Sequence, residues 1–363
     1  MSLNFSKINN IVIKKKNPAS LVHFVTNRCN ARCSFCFIDF DNPDTFKHEL
    51  TLDQISELTK NLGKDIVNVN FTGGEPFARK DLFDIAKLYI SNSNIDSIYI
   101  TTNGSLPGRV EEFIKNVISL KQDIELSFQI SLDALPEKHN EVRKIKDLYS
   151  SCIKTYNLIK NFNLSNVSST VGITVSEENC ENIEQIYLYF KNKENINNIK
   201  CILVRDEGVY KTPENIKKKI FIAYNWLTNK IIEDQKSDNI KNYNTNSFQG
   251  KIHNKKDEIC YSNIKKIYKN NTYISPCHAS SLFGVIMPNG DVFPCEILKH
   301  DKIGNLKDYN MNFMKLWNSY ENKQIKNKIL SSKCKCTYEC GMSFNIAGNY
   351  RYYPQLIGSL LKN

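Results

Sequence analysis

Short, β-rich apolar runs alternate with amphipathic stretches along the first two thirds of the chain. Runs at 21–26, 66–72, 97–101, 124–131, 168–175 and 199–204 are rich in Val, Ile, Phe and Thr and predict six strands. Between and after them, 52–62, 82–91, 109–120, 146–161, 183–191 and 216–233 carry apolar residues at helical spacing. Thr51-Leu-Asp-Gln54 has the pattern of a reciprocal cap and marks the start of the first helix. Strand and helix in strict alternation, with strands of buried character, imply a parallel sheet. Six such units suggest an incomplete (β/α) barrel or an open doubly wound sheet.

The pattern changes after the sixth helix. Residues 235–258 turn polar and poor in aliphatics, which predicts a linker. Asn289-Gly290 then stands between apolar runs at 285–287 and 292–293, a strong hairpin signal, with Cys277 before it and Cys295 after it. A helix is expected near 313–329, followed by Cys334-Lys-Cys336-Thr-Tyr-Glu-Cys340. The expected organisation is an extension at 1–20, an α/β domain at 21–234, a linker at 235–258, a cysteine-bearing module at 259–350 and a tail at 351–363.

In a parallel α/β sheet, chemistry gathers where the strands end. Four marked segments fall there: Cys29-Asn-Ala-Arg-Cys33-Ser-Phe-Cys36, Gly73-Gly-Glu-Pro76, Thr102-Asn103-Gly104 and Ser131-Leu-Asp133. A [4Fe–4S] cluster takes one thiolate per iron, so three thiolates on one loop leave an iron open for a small molecule. A structural zinc ion wants four protein ligands and suits a compact triplet poorly. His23 precedes the triplet and at strand phase could face a core.

Composition narrows the setting. The chain has 363 residues, 41% of them hydrophobic, enough for a sizeable core. No run of 18 apolar residues occurs and the N-terminus shows no secretory pattern, so a cytoplasmic protein without a membrane span is expected. Twelve cysteines then argue for reduced, metal-binding thiols rather than a disulfide framework. The net charge of +11 comes from dispersed lysines and argues against a nucleic-acid partner. Cys152, Cys180 and Cys201 fall inside expected helices or strands and read as small buried hydrophobes.

The cysteine triplet with an aromatic before its last Cys, the Gly-Gly-Glu-Pro run and Ser-Leu-Asp together resemble the radical S-adenosylmethionine enzymes over residues 21–204. The resemblance implies a partial (β/α)6 TIM-like barrel in which Cys29, Cys33 and Cys36 hold a [4Fe–4S] cluster. It implies S-adenosylmethionine contacts at Phe35, Gly73, Gly74, Glu75, Pro76, Asn103, Ser131, Asp133 and Arg143. Of these, Gly73 and Gly74 would admit backbone carbonyls to the methionine ammonium, Glu75 would face the same charge, and Arg143 would face the carboxylate. The C-terminal module resembles the auxiliary-cluster domain called SPASM, or its shorter twitch form. Its cysteines run C-x-C-x3-C at the end, too few for two clusters, which implies one auxiliary [4Fe–4S] on Cys277, Cys295 and two of Cys334, Cys336 and Cys340. Cys260 is a further candidate ligand, and a zinc ribbon is the alternative.

The resemblance implies reductive cleavage of S-adenosylmethionine to methionine and a 5′-deoxyadenosyl radical that takes a substrate hydrogen. It also implies an electron donor such as a flavodoxin or ferredoxin. An auxiliary cluster favours net oxidation or epimerisation. Glu296 stands where sulfatase-maturing enzymes carry a carboxylate described as general base, with Asp206, Glu207 and Tyr210 as further catalytic candidates at the mouth. About twenty residues precede the first strand, too few for the leader-recognition domain of many peptide modifiers. A small polar metabolite such as a sugar, aminoglycoside or nucleotide-sugar is therefore the expected substrate, with a peptide or protein as the alternative and a non-catalytic iron–sulfur protein as a third reading.

Overall fold

The computed structural model describes residues 8–241 and 247–360. Strands β1 (Ser20–Thr26), β2 (Asn68–Gly73), β3 (Ser97–Thr102), β4 (Glu125–Ser131), β5 (Val167–Val175) and β6 (Ile199–Leu203) lie within two residues of the predicted runs. Helices α1 (Leu52–Lys60), α2 (Leu82–Asn92) and α3 (Pro107–Leu120) connect the first four strands. Then come α4 (Pro136–Arg143), α5 (Leu148–Asn161), α6 (Ile183–Asn192) and α7 (Glu214–Lys236). Thr51 and Gln54 form the reciprocal cap of α1. α4 escaped the sequence pattern because its buried residues are His139, Val142 and Arg143, which make no apolar stripe.

One nine-stranded sheet has the order β6-β5-β4-β3-β2-β1-β7-β8-β9, where β7 is Phe283–Ile286, β8 Asp291–Phe293 and β9 Gly304–Asn305. Strands β1 to β6 are all parallel and strictly sequential. A doubly wound sheet would reverse its order at a switch point. The first six strands therefore make a partial (β/α)6 barrel. The Asn289-Gly290 hairpin forms as expected, but β7 pairs in parallel with β1, so the C-terminal hairpin extends the barrel sheet.

Two expectations need correction. The stretch read as linker is largely helical: α7 runs to Lys236, and α8 (Phe248–Asn270) starts behind Ser247, whose hydroxyl accepts the Gly250 N–H at 3.0 Å. Its polar first turns hid the buried spacing Ile259, Cys260, Ile264, Ile267 that follows. Residues 242–246 of that stretch, 1–7 of the extension and 361–363 of the tail lie outside the described residues. The helix expected at 313–329 is broken into α9 (Phe313–Trp317) and α10 (Tyr320–Ser331) by a new cap at Ser319. α11 (Glu339–Ala347) and α12 (Tyr353–Gly358) complete the fold. Among the described residues no helix is long and apolar enough to cross a membrane.

Alternate strand residues divide the sheet into two faces. Val69, Phe71, Ile98, Ile100, Leu126 and Phe128 face the helices and are at most 1% exposed, while their neighbours on the other face stay half-exposed. His23 belongs to the helix-side core, with Nδ1 2.9 Å from the Tyr89 hydroxyl. Burial, and then the Arg79 charge, pushes its pKa down to about 3. An unfolded histidine titrates near 6.5, so between these values the unfolded chain binds the extra proton and stability falls as pH drops from about 6.5 toward 3. His23→Gln removes that proton. Urea unfolding at stepped pH is expected to show a slope flatter by up to about 1.4 kcal/mol per pH unit.

Candidate active site

The cysteine loop leaves β1 at Thr26 and is held to the end of β2 by backbone groups. The Gly74 N–H donates to the Thr26 carbonyl at 2.8 Å and the Glu75 N–H to the Arg28 carbonyl at 2.9 Å. A Cβ on Gly73 would lie 2.0 Å from the Thr26 oxygen, and one on Gly74 would lie 2.2 Å from the Arg28 oxygen. Gly73 also has φ of +130°, a conformation that side chains rarely adopt. These glycines thus hold the first strand end against the second. From the opposite side the Arg32 N–H donates to the Arg143 carbonyl at 3.1 Å, and Ser34 Oγ donates to Glu178 beyond β5 at 2.6 Å.

Glu75 is fully buried. One carboxylate oxygen accepts the Thr102 hydroxyl at 2.8 Å and the Phe77 N–H at 3.0 Å, and the other accepts the Asn103 N–H at 2.7 Å. Burial raises its pKa against the pull of these donors. Glu75 thus ties β2 to the Thr102-Asn103 turn, and Pro76 begins the buried turn beneath it. Asn103 in turn reaches the cysteine loop, with Nδ2 2.8 Å from Asn30 Oδ1 and 3.8 Å from Cys29 Sγ.

Asp133 and Arg143 form a second buried unit. Asp133 Oδ2 takes Arg143 Nε at 3.0 Å and Nη2 at 2.5 Å, and Oδ1 takes the Thr174 N–H at 2.8 Å. The Arg143 guanidinium lies 5.9 Å from the centre of the Phe35 ring and lowers the pKa of Cys33 and Cys36 against the stronger effect of burial. Asp133 is thus spent on protein groups and acts as a positioning residue. Ser131 remains half-exposed at the end of β4. Arg143→Met strands the Asp133 charge in the interior, and urea unfolding is expected to show a loss of roughly 3–5 kcal/mol.

Cys29, Cys33 and Cys36 are half-buried and close enough for charge on one to raise the pKa of another. Burial pushes Cys29 up to about 11. Soft thiolates on one loop, with N–H donors from Ala31 at 3.3 Å and Asn103 aimed at Cys29 Sγ, fit an iron–sulfur cluster, whose iron would offset the desolvation of the thiolates.

A second group gathers Cys277, Cys295, Cys334 and Cys336. The Cys277 thiol donates to the Cys334 sulfur, which pulls the pKa of Cys334 down and pushes that of Cys277 up. Charges on Cys334 and Cys336 add to the burial that raises Cys295 to about 12. Cys340 is the second residue of α11 and sits among Glu296, Arg205, Tyr338 and Glu339, while Cys260 on α8 places its sulfur 3.8 Å from the Glu339 carbonyl oxygen.

Between the two thiol groups sits a charged node that sequence reasoning missed in part. Glu296 accepts Arg205 on one oxygen and the Tyr338 hydroxyl on the other, and the Arg205 guanidinium covers the Tyr338 ring at 4.4 Å and approaches that of Phe37 at 5.8 Å. Glu296 is thus a paired carboxylate. Asp206 is spent locally, accepting the Thr212 N–H at 2.8 Å and its hydroxyl. Glu207 is exposed, and burial raises half-buried Tyr210 to about 12. Arg205 is the first charged residue beyond β6, Phe37 adjoins Cys36 and Tyr338 lies between Cys336 and Cys340, signals that were present in the chain.

Comparison with known proteins agrees with this geometry. The family model described as the radical SAM superfamily matches residues 24–190, and that of an iron–sulfur cluster-binding domain, SPASM, matches 269–341. A GTP 3′,8-cyclase of Alkaliphilus oremlandii is 34% identical over 127 residues, covering 34% of this chain and 38% of the relative. The sporulation killing factor maturation protein SkfB of Bacillus subtilis is 27% identical over 170 residues, 47% of this chain and 38% of the relative. The chain thus spans half or less of the length of these curated relatives. Among solved structures, anSMEcpe with bound AdoMet has a TM-score of 0.62 at 19% identity over 95% of this chain and 96% of its own. SuiB of Streptococcus suis bound to precursor peptide SuiA has a TM-score of 0.53 at 16% identity, over 86% of this chain and 67% of its own. Family matches on both halves, joined by a shared fold, establish that the chain belongs to the radical S-adenosylmethionine superfamily, carries a SPASM domain, and has S-adenosylmethionine and iron–sulfur clusters as its cofactors.

Proposed function

We propose that Cys29, Cys33 and Cys36 hold a [4Fe–4S] cluster with one open iron, and that the mouth above β1–β4 seats S-adenosylmethionine against it. The observation that carries this reading is the rigid suspension of the three-thiol loop by Gly74, Glu75 and Asn103. When bound and reduced, the pair supplies a carbon-centred radical that removes a substrate hydrogen atom. The chain's own part is to orient and to exclude water. Phe35 and Ser131 offer a ring face and a hydroxyl for the nucleoside, and Arg143, fixed by Asp133, keeps positive charge beside the cysteine loop. The test is anaerobic incubation with dithionite: reductant-dependent 5′-deoxyadenosine is expected, and its absence contradicts the reading.

The net reaction we infer is oxidation or epimerisation of a small polar metabolite, with one auxiliary [4Fe–4S] cluster on Cys277, Cys295, Cys334 and Cys336 to take up or relay an electron. The hydrogen bond between Cys277 and Cys334, and the packing of Cys295 and Cys334 in the same cluster, support that ligand set. Iron analysis is expected to show that Cys336→Ser loses the auxiliary irons and that Cys340→Ser keeps them. Peptide modification is the second reading, supported by the match to a maturation protein. The GTP 3′,8-cyclases, named for a nucleotide substrate, favour the first.

A further inference from the structure

We propose that the inner face of β2–β5 is a carbohydrate-binding wall, its hydroxyl and amide side chains set to hold the ring hydroxyls of a neutral sugar unit. This rests on the radical reading above and names the substrate class for the same site. Parallel barrels usually fill their interior with Val, Ile and Leu. Here the inward residues of these strands, Gly172 apart, are polar and at least half-exposed. Toward the amino ends of the strands they satisfy one another: Ser20 with Asn68 at 2.7 Å, Asn68 with Ser97 at 2.9 Å, Ser127 with Ser168 at 3.0 Å and Tyr99 with Gln129 at 2.7 Å.

Toward the mouth the capacity is unspent. Asn70, Thr72, Thr101, Thr170 and Thr174 make no side-chain hydrogen bond among the described residues, and none of them is charged. In register, Thr101 and Thr170 stand on either side of Gln129, each about 4.8 Å from it across the sheet, and with Asn70 and Thr72 on β2 they make a two-dimensional polar grid. Hydroxyls around a sugar ring match a grid. An extended peptide presents a single line of main-chain groups and pairs with a sheet edge instead. On β1 and β7 the same face becomes apolar, with Val22, Phe24 and Val285 packed under Phe37, Met287 and Phe293. A sugar has the same two-sided character, with hydroxyls at its rim and C–H groups on its face.

The experiment measures 5′-deoxyadenosine from reconstituted, dithionite-reduced enzyme supplied with UDP-glucose, UDP-galactose, UDP-N-acetylglucosamine or a mixed peptide library. A sugar-bearing probe is expected to stimulate turnover. Thr101→Val and Thr170→Val should each raise its KM about tenfold, the worth of one lost hydrogen bond, with kcat largely kept, while Thr101→Ser restores KM. Stimulation by peptides and by no sugar overturns the inference, as does sugar stimulation indifferent to both valine variants. No reductant-dependent cleavage under any condition removes the radical reading itself, a separate and recognisable failure.

Discussion

Replacing Cys29, Cys33 and Cys36 together by Ala is expected to lower the iron content from about eight to about four per chain and to abolish S-adenosylmethionine cleavage. The three thiols share one loop, and the second thiol group lies across the Arg205, Glu296 and Tyr338 node, so each set loads independently. Losing one set leaves the other filled. Cleavage falls to background because the remaining auxiliary site, with four thiolates, offers no open iron. Anaerobic iron and sulfide assays check the first part and chromatography of 5′-deoxyadenosine the second. Retention of eight irons would place the first cluster on other residues.

The next largest effect is expected from Gly73→Ala and Gly74→Ala, neither of which removes a ligand. A methyl on Gly74 meets the Arg28 oxygen at 2.2 Å, the Arg28 carbonyl carbon at 2.5 Å and the Asn27 oxygen at 2.7 Å, all backbone atoms that cannot swing aside. On Gly73 the 2.0 Å approach to the Thr26 oxygen adds to an unfavourable φ. The strand end must then separate from the cysteine loop, breaking the Gly74 and Glu75 N–H bonds. Each variant is expected to lose more than about 4 kcal/mol of stability, the range reached only when packing or backbone geometry fails. Chemical unfolding checks this, and the same variants should bind about four fewer irons. Ala at Gly108, where a Cβ meets nothing within 4 Å, is the control for glycine replacement as such.

Much of the barrel was legible because its strands are buried on the helix side, and burial writes itself as apolar runs: all six strands and the helices facing them carry that signature. α4 was not legible, since its burial serves the polar His139 and Arg143. The linker reading failed where Ser247 caps a helix whose first turns are polar. At the site, cysteine spacing and the Gly-Gly-Glu-Pro run located the loops, yet not the division of labour within them. The resemblance offered Glu75 and Asp133 as cofactor contacts; tertiary contacts add that their oxygens also hold Thr102, Asn103, Arg143 and Thr174, which no local pattern shows. Cys340 was inseparable from Cys334 and Cys336 by spacing, whereas the structure puts it in the first turn of α11 beside Glu296, Arg205, Tyr338 and Glu339. The Arg205 and Glu296 pair joins residues 91 positions apart, beyond any local pattern.

The most direct test of the central claim is low-temperature EPR of the anaerobically reduced protein before and after addition of S-adenosylmethionine. An open iron that chelates the cofactor predicts a changed g-tensor on addition in the parent protein, and no change in the Cys29, Cys33, Cys36→Ala variant. A parent spectrum indifferent to S-adenosylmethionine would contradict the account.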